Sequence, residues 1–116
     1  MGFPVLAFEP LEANARLFRS SILLNQMEDR IHLVSKGLSS EPVSRTAVYC
    51  PSNLGVVRLL ERGEESMPEL WPDCCQWGED SCRRVELELS TLDAELPRYL
   101  RSLTRCGDVA AGTACE

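Results

Sequence analysis

The sequence predicts an α/β fold: a parallel βαβ unit, then a β-hairpin and one further strand. Three observations carry that expectation. Val5-Leu6-Ala7-Phe8 is a short apolar run that stops at Glu9-Pro10, with an apolar pattern of helical spacing directly behind it. A second run, Ile31-His32-Leu33-Val34, completes strand, helix, strand within the length of a βαβ unit. Further on, Val85-Glu86-Leu87-Glu88-Leu89 alternates apolar and acidic side chains, the pattern of a half-exposed strand. A right-handed crossover sets the first two strands parallel in one sheet. Their ends, after Glu9 and after Ser35, then lie on the rim where open α/β sheets hold ligands.

Taken in order, Phe3 to Phe8 reads as the first strand, and Pro10 falls in the first turn of a helix, where a missing N–H is tolerated. Leu11, Leu17, Phe18, Ile22 and Leu24 recur at near-helical spacing, with Glu12, Arg16 and Arg19 left for the outer side, so Leu11 to Leu24 is expected to be amphipathic. Asn25 is the expected terminator, because Asn tolerates the left-handed conformation at a helix end. Ile31 to Val34 is the second strand, with the ring of His32 on its solvent face, and Gly37 to Pro42 has the composition of a loop.

Thr46 to Cys50 and Val56 to Leu60 flank Pro51-Ser52-Asn53-Leu54-Gly55, which predicts a hairpin with a five-residue loop. Glu61 to Arg84 contains Gly63, Pro68, Pro72, Gly78, both tryptophans and Cys74, Cys75 and Cys82 without a steady period, and reads as an irregular surface excursion. Trp71 and Trp77 either pin it by burial or present a partner surface. After the strand at Val85 to Leu89, Ser90-Thr91-Leu92-Asp93 starts a short helix through Leu103, which Pro97 limits or kinks. The stretch from Cys106 to Glu116 has no period. We therefore expect one domain over residues 1–104, with the excursion at 61–84, and a disordered tail over 105–116.

Bulk composition narrows the function. With 116 residues, 44% hydrophobic and 26% charged, the chain has the make-up of one ordinary domain. Its formal charge of −6, from 18 acidic against 12 basic residues, argues against a general nucleic-acid or anionic-membrane surface. No apolar run is long enough for a membrane span, and Met1 to Pro10 lacks the basic start and apolar middle of an export signal. The expected compartment is the cytoplasm. Six cysteines are compatible with a disulfide framework, but that compartment favours free thiols. No metal site is expected: there is no C-x-x-C pair, and His32 is distant in sequence from Cys74, Cys75 and Cys82.

Ala7-Phe8-Glu9-Pro10, Asn14, Leu24-Asn25, Asp29-Arg30-Ile31, Gly37-Leu38-Ser39 and Thr91-Leu92-Asp93 stand in an order that resembles the FkbM-type family of S-adenosylmethionine-dependent methyltransferases. The resemblance runs from Val5 to Leu96, is most specific in Val5 to Ser40, and is thin between Glu61 and Arg84. It implies a partial Rossmann-like class I methyltransferase sheet, S-adenosylmethionine as cofactor, and O-methylation of a small molecule or sugar. Glu9 takes the place of the acid that binds the ribose of the methyl donor, with Pro10 and Leu11 shaping the adenosine site and Gly37 and Leu38 beside the adenine. A carboxylate there can accept two bonds from vicinal hydroxyls, each worth about 1.5–3 kcal/mol. The plainer readings make Glu9 a helix N-terminal acid, Gly37 a turn glycine before a core Leu38, Asn14 and Asn25 turn and helix residues, and Asp93 part of a helix start. No catalytic residue is identified.

In nucleotide-binding α/β units a glycine-rich turn precedes the ribose acid by about 20 residues, yet eight residues precede Glu9 here. Similarly, Arg105-Cys106-Gly107-Asp108 does not match the Asp-x-Glu-Gly strand that follows the Thr-Leu-Asp segment in the family. The expectation is a partial domain without the cradle for the donor's methionine end, inactive in isolation because methyl transfer depends on in-line positioning. The alternative is a non-catalytic interaction remnant that self-associates through an exposed sheet edge. A third possibility is a disulfide-linked secreted protein.

Overall fold

β1 (Val5–Phe8) and β2 (Ile31–Val34) run parallel and side by side in the computed structural model, which describes residues 2–51, 53–66 and 82–107. Leu6 faces His32 and Ala7 faces Leu33. The ladder extends beyond the strands, with Val5 N–H donating to the Arg30 carbonyl at 2.7 Å and Glu9 N–H to the Val34 carbonyl at 3.1 Å. Parallel neighbours need a crossover, and α1 (Glu12–Leu24) supplies it.

The helix starts later than Pro10. Leu11 is its N-cap, with extended backbone at φ −84° and ψ 119°, so Pro10 stands outside the first turn. The carboxylate of Glu9 reaches over the proline to accept Leu11 N–H at 3.0 Å, which moves the capping role upstream. The buried face of α1 is Leu11, Ala15 and Ile22, with Phe18 half-buried. Leu17 and Leu24, expected on that stripe, are 62% and 83% exposed. Each lies two residues beyond Ala15 or Ile22, about 200° round the helix, and so falls on the opposite side. At the C-terminal end Asn25 is right-handed at φ −97° and its side chain donates to the Ser21 carbonyl at 2.7 Å. The left-handed residue is Gln26, at φ 53°.

A second sheet has the order β3–β6–β4–β5, from β3 (Gly37–Leu38), β4 (Val43–Cys50), β5 (Asn53–Leu59) and β6 (Arg83–Ser90). Gly37 and Leu38 are therefore strand rather than loop, paired in parallel with Leu89 and Ser90. Two residues set no period, and their partners lie far along the chain, so no local pattern marks them. β6 runs antiparallel to β4 from Val43 opposite Leu89 to Tyr49 opposite Arg83. Its alternation is as read, with Leu87 and Leu89 buried and Glu86 and Glu88 exposed. The hairpin is tighter than expected: Cys50 already pairs with Asn53, and a register shift beside Tyr49 absorbs residues assigned to the loop. Ala47, Val48, Cys50 and Leu60 form the core of this sheet, and Asn14 of α1 ties to the hairpin by donating to the Leu54 carbonyl at 2.9 Å.

α2 (Leu92–Gly107) begins with Thr91, whose hydroxyl accepts Ala94 N–H at 3.1 Å. It passes through Pro97 and beyond Leu103 to Gly107. Pro97 lies near the start of the helix, where it interrupts one backbone bond, and the packing of Tyr99, 9% exposed, holds the following turn in place. Of the expected excursion, Glu64–Ser66 forms a single 3-10 turn after Gly63 at φ 97°, and Arg83 and Arg84 belong to β6. In that turn the carboxyl of Glu65 is held below its ordinary pKa by the backbone N–H groups of Glu65 and Gly63. Trp71 and Trp77 lie outside the described residues.

Cys82 is disulfide-bonded, which corrects the free-thiol expectation at that position, and Cys50 is a buried thiol. A disulfide needs two thiols brought within reach as well as an oxidising environment, and spacing along the chain shows neither. Among the described residues no helix is long and apolar enough to cross a membrane.

Candidate functional site

The parallel pair brings the expected residues to one rim. Glu9 follows the last residue of β1 directly and is half-buried, held from two sides: its backbone N–H bonds the end of β2, and its Oε1 accepts the first free N–H of α1. The capping role read from the sequence is thus present. An ionised carboxylate has about four acceptor sites, so one bond to Leu11 leaves capacity for a hydroxyl pair.

Pro10 and Gly37 meet beside it. A Cβ placed on Gly37 would sit 3.5 Å from Pro10 Cβ and 3.6 Å from its Cγ, and only 2.5 Å from Leu89 Cδ2. Gly37 lies within β3 and is buried, so it is a glycine of close approach rather than of a turn. Leu38 is 47% exposed, which removes the core-leucine reading and leaves an apolar side chain open at the rim. Leu11 is 2% exposed, so its side chain belongs to the core and only its backbone borders Glu9.

Sequence patterns assign no role to Lys36 or Glu95 and place Ser90 at the helix start, whereas Ser90 ends β6 and the cap falls to Thr91. Glu95 is 6% exposed on α2 and accepts the Ser90 hydroxyl at 2.8 Å. Lys36 Nζ lies 3.7 Å from the same carboxylate oxygen, and Arg98 reaches to 3.9 Å from the solvent side. This knot joins the residue before β3, the last residue of β6 and the first turns of α2. A glutamate in an amphipathic helix reads as surface, and the one available signal was Lys36, the only lysine of the chain. On the neighbouring strand the His32 ring is exposed and 5.5 Å from the ring of Tyr99, so α2 also reaches β2.

Other predicted residues are placed more simply. Asp93 lies in the first turn of α2 and is exposed, as expected of a helix start. Arg19 donates to the Ser35 hydroxyl and approaches Glu12 at 3.5 Å, bracing the end of β2 against α1. Among the described residues no group of three His, Cys, Asp or Glu is arranged to hold a metal. Chemically, the rim offers an acceptor carboxylate at Glu9 and an apolar Leu38 open to solvent. Comparison with protein-family models, with characterised proteins and with solved structures finds no match to this chain.

Proposed function

We propose that this chain is part of an S-adenosylmethionine-dependent methyltransferase, of the FkbM type its motifs resemble, that acts on a hydroxyl of a small molecule or sugar and is inactive as these 116 residues alone. The observation that supports it best is the position of Glu9, at the C-terminal end of a strand in a parallel βαβ unit, with Pro10 and Gly37 packed beside it. That is the place of a ribose acid in a Rossmann-like sheet. On this reading Glu9 accepts the ribose hydroxyls, Pro10 and the Leu11 backbone border the sugar, and Gly37 and Leu38 lie against the adenine.

The test separates the nucleoside half of the site from the donor's methionine half. Calorimetry with S-adenosylmethionine at micromolar protein is expected to give no isotherm, since a residual nucleoside contact binds only at about millimolar concentration, near −4 kcal/mol. Ligand-observed NMR with adenosine at millimolar concentration is expected to show saturation transfer to the ribose protons. Glu9→Gln keeps an acceptor for Leu11 N–H but loses the charge, so it should weaken that transfer about tenfold, or 1.4 kcal/mol. Equal transfer in both proteins would remove the ribose role. A saturable micromolar isotherm lost in Glu9→Ala would overturn the inactivity of the chain.

One observation favours a second reading, a non-catalytic remnant that pairs with a strand of another chain. Among the described residues β2 is the only strand neighbour of β1, and Val5 is 44% exposed. Val5 and Glu9 donate toward β2, so the alternation of the strand aims the N–H groups of Leu6 and Phe8 at the open side. Leu6→Pro deletes an open-edge donor and spares the β1–β2 ladder. Under this reading it abolishes edge-dependent association in light scattering, and an unchanged mass distribution would exclude edge pairing.

A further inference from the structure

Ser35 and Lys36 are the two-residue link between β2, which pairs with β1, and β3, which pairs with β6. The link lies outside both ladders, so its side chains, rather than strand pairing, hold it. Both are tied, and to opposite sides. Lys36 Nζ lies 3.7 Å from Glu95 Oε1 of α2, and the Ser35 hydroxyl accepts a guanidinium N–H of Arg19 from α1. Strand alternation explains the division. His32 meets Tyr99 of α2 and Lys36, four residues on, meets Glu95 of the same helix, whereas Ser35 has the opposite parity and meets α1. The two anchors differ in strength. Glu95 is buried and held by the Ser90 hydroxyl at 2.8 Å, while the Arg19 side chain is 46% exposed and has Glu12 at 3.5 Å.

We propose that Arg19 and Glu95 are positioning residues for a nucleoside: each grips one residue of the link, and together they hold Gly37 and Leu38 against the base while Glu9 takes the sugar. This role rests on the reading above that the adenine lies against Gly37 and Leu38. Gly37 directly follows Lys36, and a Cβ on it would meet Leu89 at 2.5 Å and Pro10 at 3.5 Å, so a small displacement of the link reaches the backbone beside Glu9. Each anchor acts by raising the fraction of chains in which the base side of the rim is set for binding, and the apparent Kd scales with the inverse of that fraction. The ribose side is held separately, by the bonds from Glu9 N–H to the Val34 carbonyl and from Leu11 N–H to the Glu9 carboxylate. Loosening the link therefore costs base contacts before ribose contacts.

Ligand-observed NMR with millimolar adenosine, comparing saturation transfer to the adenine and to the ribose protons, tests the proposal. Lys36→Met and Arg19→Met are each expected to raise the Kd about threefold to tenfold and to lower the adenine-to-ribose ratio of transfer. Lys36→Arg, which keeps a cation for Glu95, should stay near wild type. Glu9→Gln should shift the ratio the other way. Arg19→Met is the decisive variant, because an exposed pair contributes little to folding and its urea midpoint should match wild type. A loss of base contact there is not a loss of fold. Unchanged Kd and ratio in both Met variants, with the wild type binding, overturn the clamp and leave the ribose role of Glu9 standing. An equal loss over base and ribose protons that tracks the urea midpoints also overturns it, as the mark of a purely structural role. No transfer in the wild type overturns the ribose role and the clamp together.

Discussion

Leu89→Ala is expected to lower the unfolding free energy by about 2–4 kcal/mol, and adding Gly37→Ala to that variant to return part of the loss, although Gly37→Ala alone destabilises by about 1–3 kcal/mol. Leu89 is 8% exposed at the end of β6, and its Cδ2 occupies the position next to the absent Cβ of Gly37, at 2.5 Å. Real Cβ atoms do not approach so closely, so an alanine at 37 forces the leucine to turn, and Pro10, at 3.5 Å on the other side, narrows the room for the strand to move instead. With Leu89 truncated, the same methyl enters the cavity left behind. Two residues that share one volume couple by about 0.5–3 kcal/mol in a double-mutant cycle. Urea unfolding of the wild type, both single variants and the double variant measures it. Additive midpoints would show that β3 and β6 do not meet at this point. The result also bears on the rim, because a push on Pro10 is a push on the turn from Glu9 to Leu11.

Much of this region was legible in the sequence because its signals are local. Val5 to Phe8 is an apolar run closed by Glu9-Pro10, Ile31 to Val34 is a second one, and of the helix set Leu11, Leu17, Phe18, Ile22 and Leu24, three residues, Leu11, Phe18 and Ile22, do face the protein. What escaped was decided by distant partners. Leu17 and Leu24 look as apolar as Ile22 but lie about 200° round the helix from Ala15 and Ile22, and the sheet decides which of the two sides is covered. Gly37 and Leu38 become a strand because Leu89 and Ser90 are beside them, and a pattern of two residues cannot announce such a pairing. The register shift at Tyr49 shortened the hairpin loop in the same way, since a bulge depends on the partner strand. At the rim, the neighbourhood of Glu9, Pro10 and Gly37 follows from the parallel crossover and could be read. The burial of Glu95 could not, because it depends on Lys36 and Ser90 arriving from two other elements.

That knot carries the second large effect. Glu95→Ala is expected to destabilise the protein by about 2–4 kcal/mol, since it strips the buried Ser90 hydroxyl of its acceptor and leaves Lys36 facing the cavity without its carboxylate. Arg98 is 66% exposed at its side chain, and its contribution is screened by water, so Arg98→Ala should stay within about 0.5 kcal/mol of wild type. Glu95→Gln keeps an oxygen for Ser90 and gives up only the charge, and falls between the two. The loss also has a place in the fold. Lys36 immediately precedes β3 and Ser90 ends β6, so Glu95→Ala should speed hydrogen exchange at Gly37, Leu38 and Ser39, whose pairing with Leu89 and Ser90 includes Ser39 N–H to the Ser90 carbonyl at 2.8 Å. The amides of Ala47 and Val48, between β5 and β6 in the same sheet, should keep the protection that the global stability allows. If Glu95→Ala matched wild type in urea, or loosened both regions equally, the carboxylate would be a surface group, and the rim around Glu9 would have to be held by the Pro10–Gly37 contact alone.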